Sequence, residues 1–146
     1  MMIGFKGSGK SLLGKQLALT LHRTFFDSDK VLEHHYFVNE KKRLKCRAIF
    51  RTHGEPYFRA LEKEVLSLLD KKDDCIIALG GGSLSHETEE IVSQMGTLIY
   101  LTLPKKIVLD RQTTHNSEEF EKIYIKRKSL FEKHAHHTME GFNHGI

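Results

Sequence analysis

The sequence predicts an α/β fold: a five-stranded parallel sheet flanked by helices. Three observations carry that prediction. Strand-like and helix-like segments alternate along the chain, which favours parallel strands joined by helical crossovers. The run Cys75-Ile76-Ile77-Ala78-Leu79 is apolar without alternation, as a strand covered on both faces must be. Gly4-Phe5-Lys6-Gly7-Ser8-Gly9-Lys10-Ser11 has the spacing G-x-x-x-x-G-K-S, which belongs between a strand and a helix.

Met1-Met2-Ile3 ends a very short first strand, and the glycine-rich loop follows it. A helix runs from Lys10 to about His22, with Leu12, Leu13, Gln16, Leu17 and Leu19 setting its period. Phe25-Phe26 closes a second strand on Asp27-Ser28-Asp29. Lys30 to Tyr36 starts another helix, and a basic helical segment with Leu44, Ala48, Ile49 and Phe50 stops near His53-Gly54. Pro56 suits the first turn of a helix reaching Leu69, whose apolar stripe is Phe58, Leu61, Val65, Leu68 and Leu69. After the third strand comes Gly80-Gly81-Gly82, then helical signals from His86 to Met95. Leu98-Ile99-Tyr100-Leu101 forms the fourth strand, and Pro104 opens a helix to Arg111. Gln112 to Ser117 is a polar loop, Glu118 to His134 is helical, and Thr138 to Phe142 supplies the last strand.

A chain of 146 residues, 39% hydrophobic and 29% charged, reads as one soluble domain with a core of ordinary size. No apolar run is long enough for a membrane helix, and no secretory signal is expected. Cys46 and Cys75 lack metal-ligand spacing and read as reduced thiols of a cytoplasmic protein, Cys75 as a small core residue. Much of the net charge of +4 lies in Lys41-Lys42-Arg43, Lys45, Arg47 and Arg51. Without interleaved aromatics this segment reads as a solvated helix face rather than a nucleic-acid surface; attraction of anionic substrates is a third reading. Among the ten histidines, His134, His136, His137 and His144 crowd the end of the chain. They show no identifiable ligand set and read as surface residues.

Glycines in the loop let several backbone N–H groups turn inward around a polyphosphate, and the helix from Lys10 adds its positive end. Lys10 can reach between the outer phosphates, and the Ser11 hydroxyl can ligate Mg²⁺. In parallel sheets ligands collect at the carboxyl ends of strands. The glycine-rich loop, Asp27-Ser28-Asp29 and Gly80-Gly81-Gly82 all reach that edge. Asp27 and Asp29 can divide the labour of anchoring metal-bound water and accepting a hydrogen bond from an attacking hydroxyl; alone, they would read as turn residues or a helix cap. Arg59 and Arg127 suit a carboxylate-bearing acceptor, although either alone would read as a surface salt-bridge residue. Gly80, Gly81 and Gly82 have no side chains, so a small substrate can approach their backbone.

In this order the motifs resemble the shikimate kinase family. The matching segments are the glycine-rich loop, Phe26-Asp27-Ser28-Asp29, Gly54 through Glu62 (G-E-x-x-F-R-x-x-E), Ala78 through Gly82, Tyr100 through Arg111, and Lys126 through Phe131. The resemblance implies ATP-dependent phosphorylation of the 3-hydroxyl of shikimate, a step toward chorismate and the aromatic amino acids. Gly7, Ser8, Gly9, Lys10, Ser11 and Leu12 would hold ATP, with Arg111 near the adenine. Ser11 and Asp27 would hold Mg²⁺. Lys10 and Asp29 would be catalytic, and Asp29, Arg59, Gly80, Gly81, Gly82 and Arg127 would bind shikimate. Residues 1–146 would form one P-loop kinase domain, with a substrate-binding helical region about 30–62 and a shortened lid about 112–117. The implied enzyme is a cytoplasmic monomer with a small-molecule substrate and neither nucleic-acid nor membrane partner.

Departures from the family pattern qualify these expectations. The family lid carries an arginine that reaches the phosphates, whereas Gln112-Thr113-Thr114-His115-Asn116-Ser117 has none. Reduced turnover follows, unless Lys122, Lys126 or His115 substitutes. Residues 37–53 are longer and more basic than usual. The short ends are expected to weaken stability and nucleotide affinity more than chemistry. Two alternatives stand beside this reading: a non-catalytic nucleotide- or shikimate-binding relative, and a related small-molecule kinase with another acceptor, which would share the loop but is not expected to carry F-R-x-x-E with G-G-G.

Overall fold

Two residues make the central strand. In a computed structural model that describes residues 1–111 and 116–141, β1 (Met2–Ile3) lies in the middle of a five-stranded sheet. The sheet order is β2-β3-β1-β4-β5, with β2 (Thr24–Asp27), β3 (Cys75–Ala78), β4 (Ile99–Thr102) and β5 (His137–Glu140). Every pairing is parallel, and Met2 registers with Ala78 on one side and Ile99 on the other. Shared direction brings the ends of β1, β2 and β3 to one edge, as the sequence predicts.

Helices α1 (Lys10–Leu21), α2 (Ser28–Glu40), α3 (Cys46–His53) and α4 (Glu55–Asp70) occupy the first half. The second half contains α5 (Glu89–Gln94), α6 (Lys105–Asp110) and α7 (Ser117–His134). Helix α5 starts later than the sequence suggests. The Thr88 hydroxyl donates to the Ser83 carbonyl at 2.5 Å and accepts from Ser85 N–H at 2.9 Å, which holds the preceding residues in tight turns. The shortened lid falls mostly on residues 112–115, outside the described residues, as does the end of the last predicted strand.

Packing revises three apolar assignments. On α1 the buried positions are Lys10, Gly14 and Ala18, while Leu12 and Leu19 are exposed. Small residues face the sheet because α1 lies close to it: a Cβ at Gly14 would sit 3.2 Å from Phe25 Cδ2 and 3.6 Å from Ile76 Cγ2. On α4 the buried stripe is Phe58, Leu61, Glu62, Val65, Leu66 and Leu69, so Leu66 takes the place predicted for Leu68. Cys75 is half-buried at the margin of the core rather than inside it.

Phe5, a variable position of the glycine-rich loop, is 1% exposed. Its ring stacks on Tyr124 at 5.0 Å and meets Phe131 edge-on at 5.2 Å. Helix α7 is thereby clamped to the phosphate-binding loop. Leu66 is 1% exposed and Leu68 41% exposed. Leu66→Ala should therefore cost about 2–5 kcal/mol in urea unfolding, and Leu68→Ala less than about 1 kcal/mol. Equal losses would contradict the observed face of α4.

Candidate active site

The loop between β1 and α1 turns because Gly7 and Gly9 adopt φ of 82° and 93°, values that L side chains rarely take. Lys10 then opens α1. It is buried, and its Nζ donates to the carbonyls of Gly4 at 2.9 Å and Phe5 at 2.8 Å. Burial lowers the Lys10 pKa to about 8, against the upward pull of Asp29 and Asp27. Ser8 is also buried, and its hydroxyl has no hydrogen-bond partner among the described residues. Arg111, just after α6, donates to the Gly7 carbonyl and so grips the loop from outside.

Asp27 has two functions at the end of β2. One carboxylate oxygen accepts from Asp29 N–H at 3.0 Å and caps α2; the other accepts from the Ser11 hydroxyl at 2.9 Å. Ser11 and Asp27 are thus adjacent hard oxygen donors, a set that fits Mg²⁺ completed by phosphate oxygens. Asp29, on the first turn of α2, has its pKa raised by burial first and by the Asp27 charge second. A carboxylate pushed up in this way is a better proton acceptor. These residues line a cavity of about 330 Å³ with Lys6, Leu12, Gly80 and Gly81.

A second cavity, of about 420 Å³, shares Asp29 and Gly81 with the first and adds Arg59, Glu62, Gly82 and Arg127. Arg59 Nη1 donates to Glu62 at 2.5 Å and to the Gly82 carbonyl at 3.0 Å. Glu62 is 4% exposed, and burial raises its pKa although Arg59 opposes the shift. Arg127, on α7, has no hydrogen-bond or ion-pair partner among the described residues. Its pKa is lowered by burial and then by the Arg59 charge. A guanidinium half-buried beside another guanidinium is a site that an anion would complete.

The glycine triplet does more than expose backbone. Gly80 N–H donates to the Ser28 hydroxyl at 2.9 Å, and a Cβ at Gly80 would stand 2.9 Å from Asp29 Cγ. At Gly81 it would stand 3.1 Å from Lys6 N, and at Gly82 2.8 Å from Arg127 Nη2. Three glycines therefore admit three parts of the site: the acidic residue, the phosphate loop and the arginine.

Sequence reasoning had not assigned Glu62, although its place three residues after Arg59 on one helix is a readable signal. Ser28, Ser83, Cys46, Arg47 and Arg51 were also unassigned to the site. Cys46 Sγ lies 3.5 Å from the Asp29 carbonyl, and burial followed by nearby carboxylates pushes its thiol pKa up. Lys122 and Lys126 are exposed on α7, and His115 lies outside the described residues. His134 is not a free surface residue: its ring meets Glu89 at 2.7 Å. Among the described residues no group of three or more His, Cys, Asp or Glu could hold a metal.

Fold and site together define a P-loop kinase: a phosphate loop, an adjacent hydroxyl–carboxylate pair and a second, arginine-lined cavity at one sheet edge. The family model described as shikimate kinase matches residues 6–144. The shikimate kinase of Sulfurihydrogenibium sp. is 33% identical over 134 residues, covering 90% of this chain and 77% of that protein. The bifunctional shikimate kinase/3-dehydroquinate synthase of Thermotoga maritima is 33% identical over 138 residues, and this chain spans only 27% of its length. A solved Acinetobacter baumannii shikimate kinase in complex with shikimate superposes with a TM-score of 0.84 at 29% identity, covering 97% of this chain and 82% of that one. The chain belongs to the shikimate kinase family, ATP-using kinases of the shikimate pathway.

Nucleotide binding should be linked to proton uptake. A polyphosphate against Lys10 would raise its pKa from about 8. Calorimetry of ADP binding at pH 8.5 in buffers of different ionisation enthalpy should register net uptake, approaching about one proton. Uptake should shrink toward pH 6.5, where Lys10 is already protonated. Equal uptake at both values would assign Lys10 a different environment.

Proposed function

We propose that this chain transfers the γ-phosphoryl group of ATP to the 3-hydroxyl of shikimate. The observation that supports this best is Arg127, a half-buried cation without a partner among the described residues, facing the same cavity as Arg59. A carboxylate there would receive two guanidinium groups, whereas a nucleoside monophosphate would need contacts to a base as well. In this reading residues 1–146 act as one domain, with the helical region 30–62 forming the acceptor wall.

Gly7, Ser8, Gly9, Lys10, Ser11 and Leu12 would bind the nucleotide, with Arg111 on its outer side. Ser11 and Asp27 would hold Mg²⁺, which supplies charge neutralisation on the phosphates. Asp29 stands between the cavities, where it would orient the hydroxyl and take its proton. The acceptor oxygen bonds to the γ-phosphorus as the bond to the β–γ bridging oxygen breaks, and ADP leaves. Arg59, held by Glu62, and Arg127 would fix the carboxylate, with the backbone of Gly80, Gly81 and Gly82 closing the pocket. Because one chain lines both cavities, a monomer suffices, and ATP supply favours the cytoplasm.

A coupled assay with ATP, Mg²⁺ and shikimate tests the reading directly. Shikimate-dependent ADP release is expected; shikimate binding with release at background would favour a binding relative instead. Asp29→Asn should fold normally and lose about 10²–10⁴-fold in kcat, and unchanged turnover would remove Asp29 from the chemistry. Arg59→Ala should raise KM for shikimate far more than KM for ATP. Equal rises would misplace the acceptor cavity.

A further inference from the structure

Lys6 belongs to no assigned set, yet it lies where the two cavities meet. It follows the buried Phe5 and lines the phosphate cavity together with Lys10, Ser11 and Asp29. Its backbone passes Gly81, the glycine common to both cavities: a Cβ there would be 3.1 Å from Lys6 N and 3.8 Å from Lys6 Cα. The side chain therefore starts at the seam that the transferred group must cross. It is exposed and makes no hydrogen bond or ion pair among the described residues.

Neighbouring cations already have partners or roles, Lys10 among them as part of the nucleotide cradle. Lys10 is buried on the carbonyls of Gly4 and Phe5, Arg111 holds the Gly7 carbonyl, and Arg59 is paired with Glu62. Arg127 lies beyond the seam, beside Gly82. Residues 112–117 contain neither lysine nor arginine. Phosphoryl transfer spreads negative charge over three equatorial oxygens, and catalysis consists largely of positioning and neutralising that charge. A lysine on a flexible four-carbon stem can follow those oxygens as they move from donor to acceptor.

We propose that Lys6 is a second phosphate-contacting lysine of this loop, one that neutralises the γ-phosphoryl group during transfer rather than anchoring the bound nucleotide. It forms no covalent bond and takes no proton. The inference rests on the reading of the site as an ATP-dependent kinase, but it does not depend on the identity of the acceptor.

The test compares the whole chain with its Lys6→Met and Lys6→Arg variants. Affinity is measured for ADP with Mg²⁺, and again with aluminium fluoride added as a mimic of the transferring group. Lys6 is exposed, so both variants should fold. Lys6→Met should bind ADP within about twofold of the parent, lose about tenfold or more of the fluoroaluminate enhancement, and lose about 10²-fold in kcat with KM for shikimate unchanged. Lys6→Arg should restore most of the enhancement. An undiminished enhancement in Lys6→Met overturns the inference, and so does an equal loss of plain ADP affinity. Absence of enhancement in the parent chain overturns it as well. If the parent shows the enhancement and Lys6→Met loses it, but shikimate is not phosphorylated, the acceptor assignment fails and the role of Lys6 stands.

Discussion

The site depends on how closely the loop after β3 approaches its surroundings. At Gly80 a methyl group would collide with the Asp29 carboxylate and lie 2.8 Å from Ser83 Oγ; at Gly82 it would reach Arg127. Between them, Gly81 runs against the backbone of the phosphate loop at Lys6. Three segments remote in sequence are thereby held at contact distance by the absence of side chains. The loop is itself fastened by Ser28, which accepts from Gly80 N–H, and by the Ser83–Thr88 turn. In the proposed reaction, a base, a phosphate cradle and a carboxylate clamp would need this spacing, because a misplacement of about 1 Å can cost about 10²-fold in rate.

Electrostatics give that spacing its chemical meaning. Burial pushes Asp29 and Glu62 toward the protonated form and Lys10 and Arg127 toward the neutral one, so each charge is held against a desolvation cost. The opposite charges within the site offset part of that cost. Arg59 gains a buried carboxylate in Glu62, whereas Arg127 gains none among the described residues. An incoming anion would therefore find one guanidinium already oriented and another still unmet. Such an arrangement favours a substrate whose negative charge is small, planar and fixed in position.

Much of this was legible from local signals. The spacing G-x-x-x-x-G-K-S, the strand-ending Asp27 and Asp29, and the apolar third strand each need only a few neighbouring residues to be recognised. Element order followed from alternation. Failures came where tertiary distance decides. Leucines on α1 suggested an inward face, but close packing on β2 and β3 puts Gly14 and Ala18 there and leaves Leu12 and Leu19 exposed. Leu66 displaced Leu68 because it lies four residues after the buried Glu62 and three before Leu69, on the stripe that α4 turns inward. The open glycine triplet suggested room for substrate; the structure fills much of that room with the protein's own side chains.

The basic segment 41–51 shows how one sequence feature can divide between two roles. Lys41, Lys42, Arg43 and Lys45 are exposed, as a solvated face requires, while Ile49 is buried in the core. One turn apart on α3, however, Arg47 and Arg51 line the cavity that contains Arg59 and Arg127. Four arginines against Asp29 and Glu62 leave that cavity positively biased, and a low-dielectric wall focuses such a bias toward incoming anions. Positive charge would therefore attract an anionic acceptor to a cavity adjoining one that would hold a polyphosphate. The two anions repel each other, and the seam at Gly81 and Lys6 is where that repulsion must be neutralised before phosphorus can change partners.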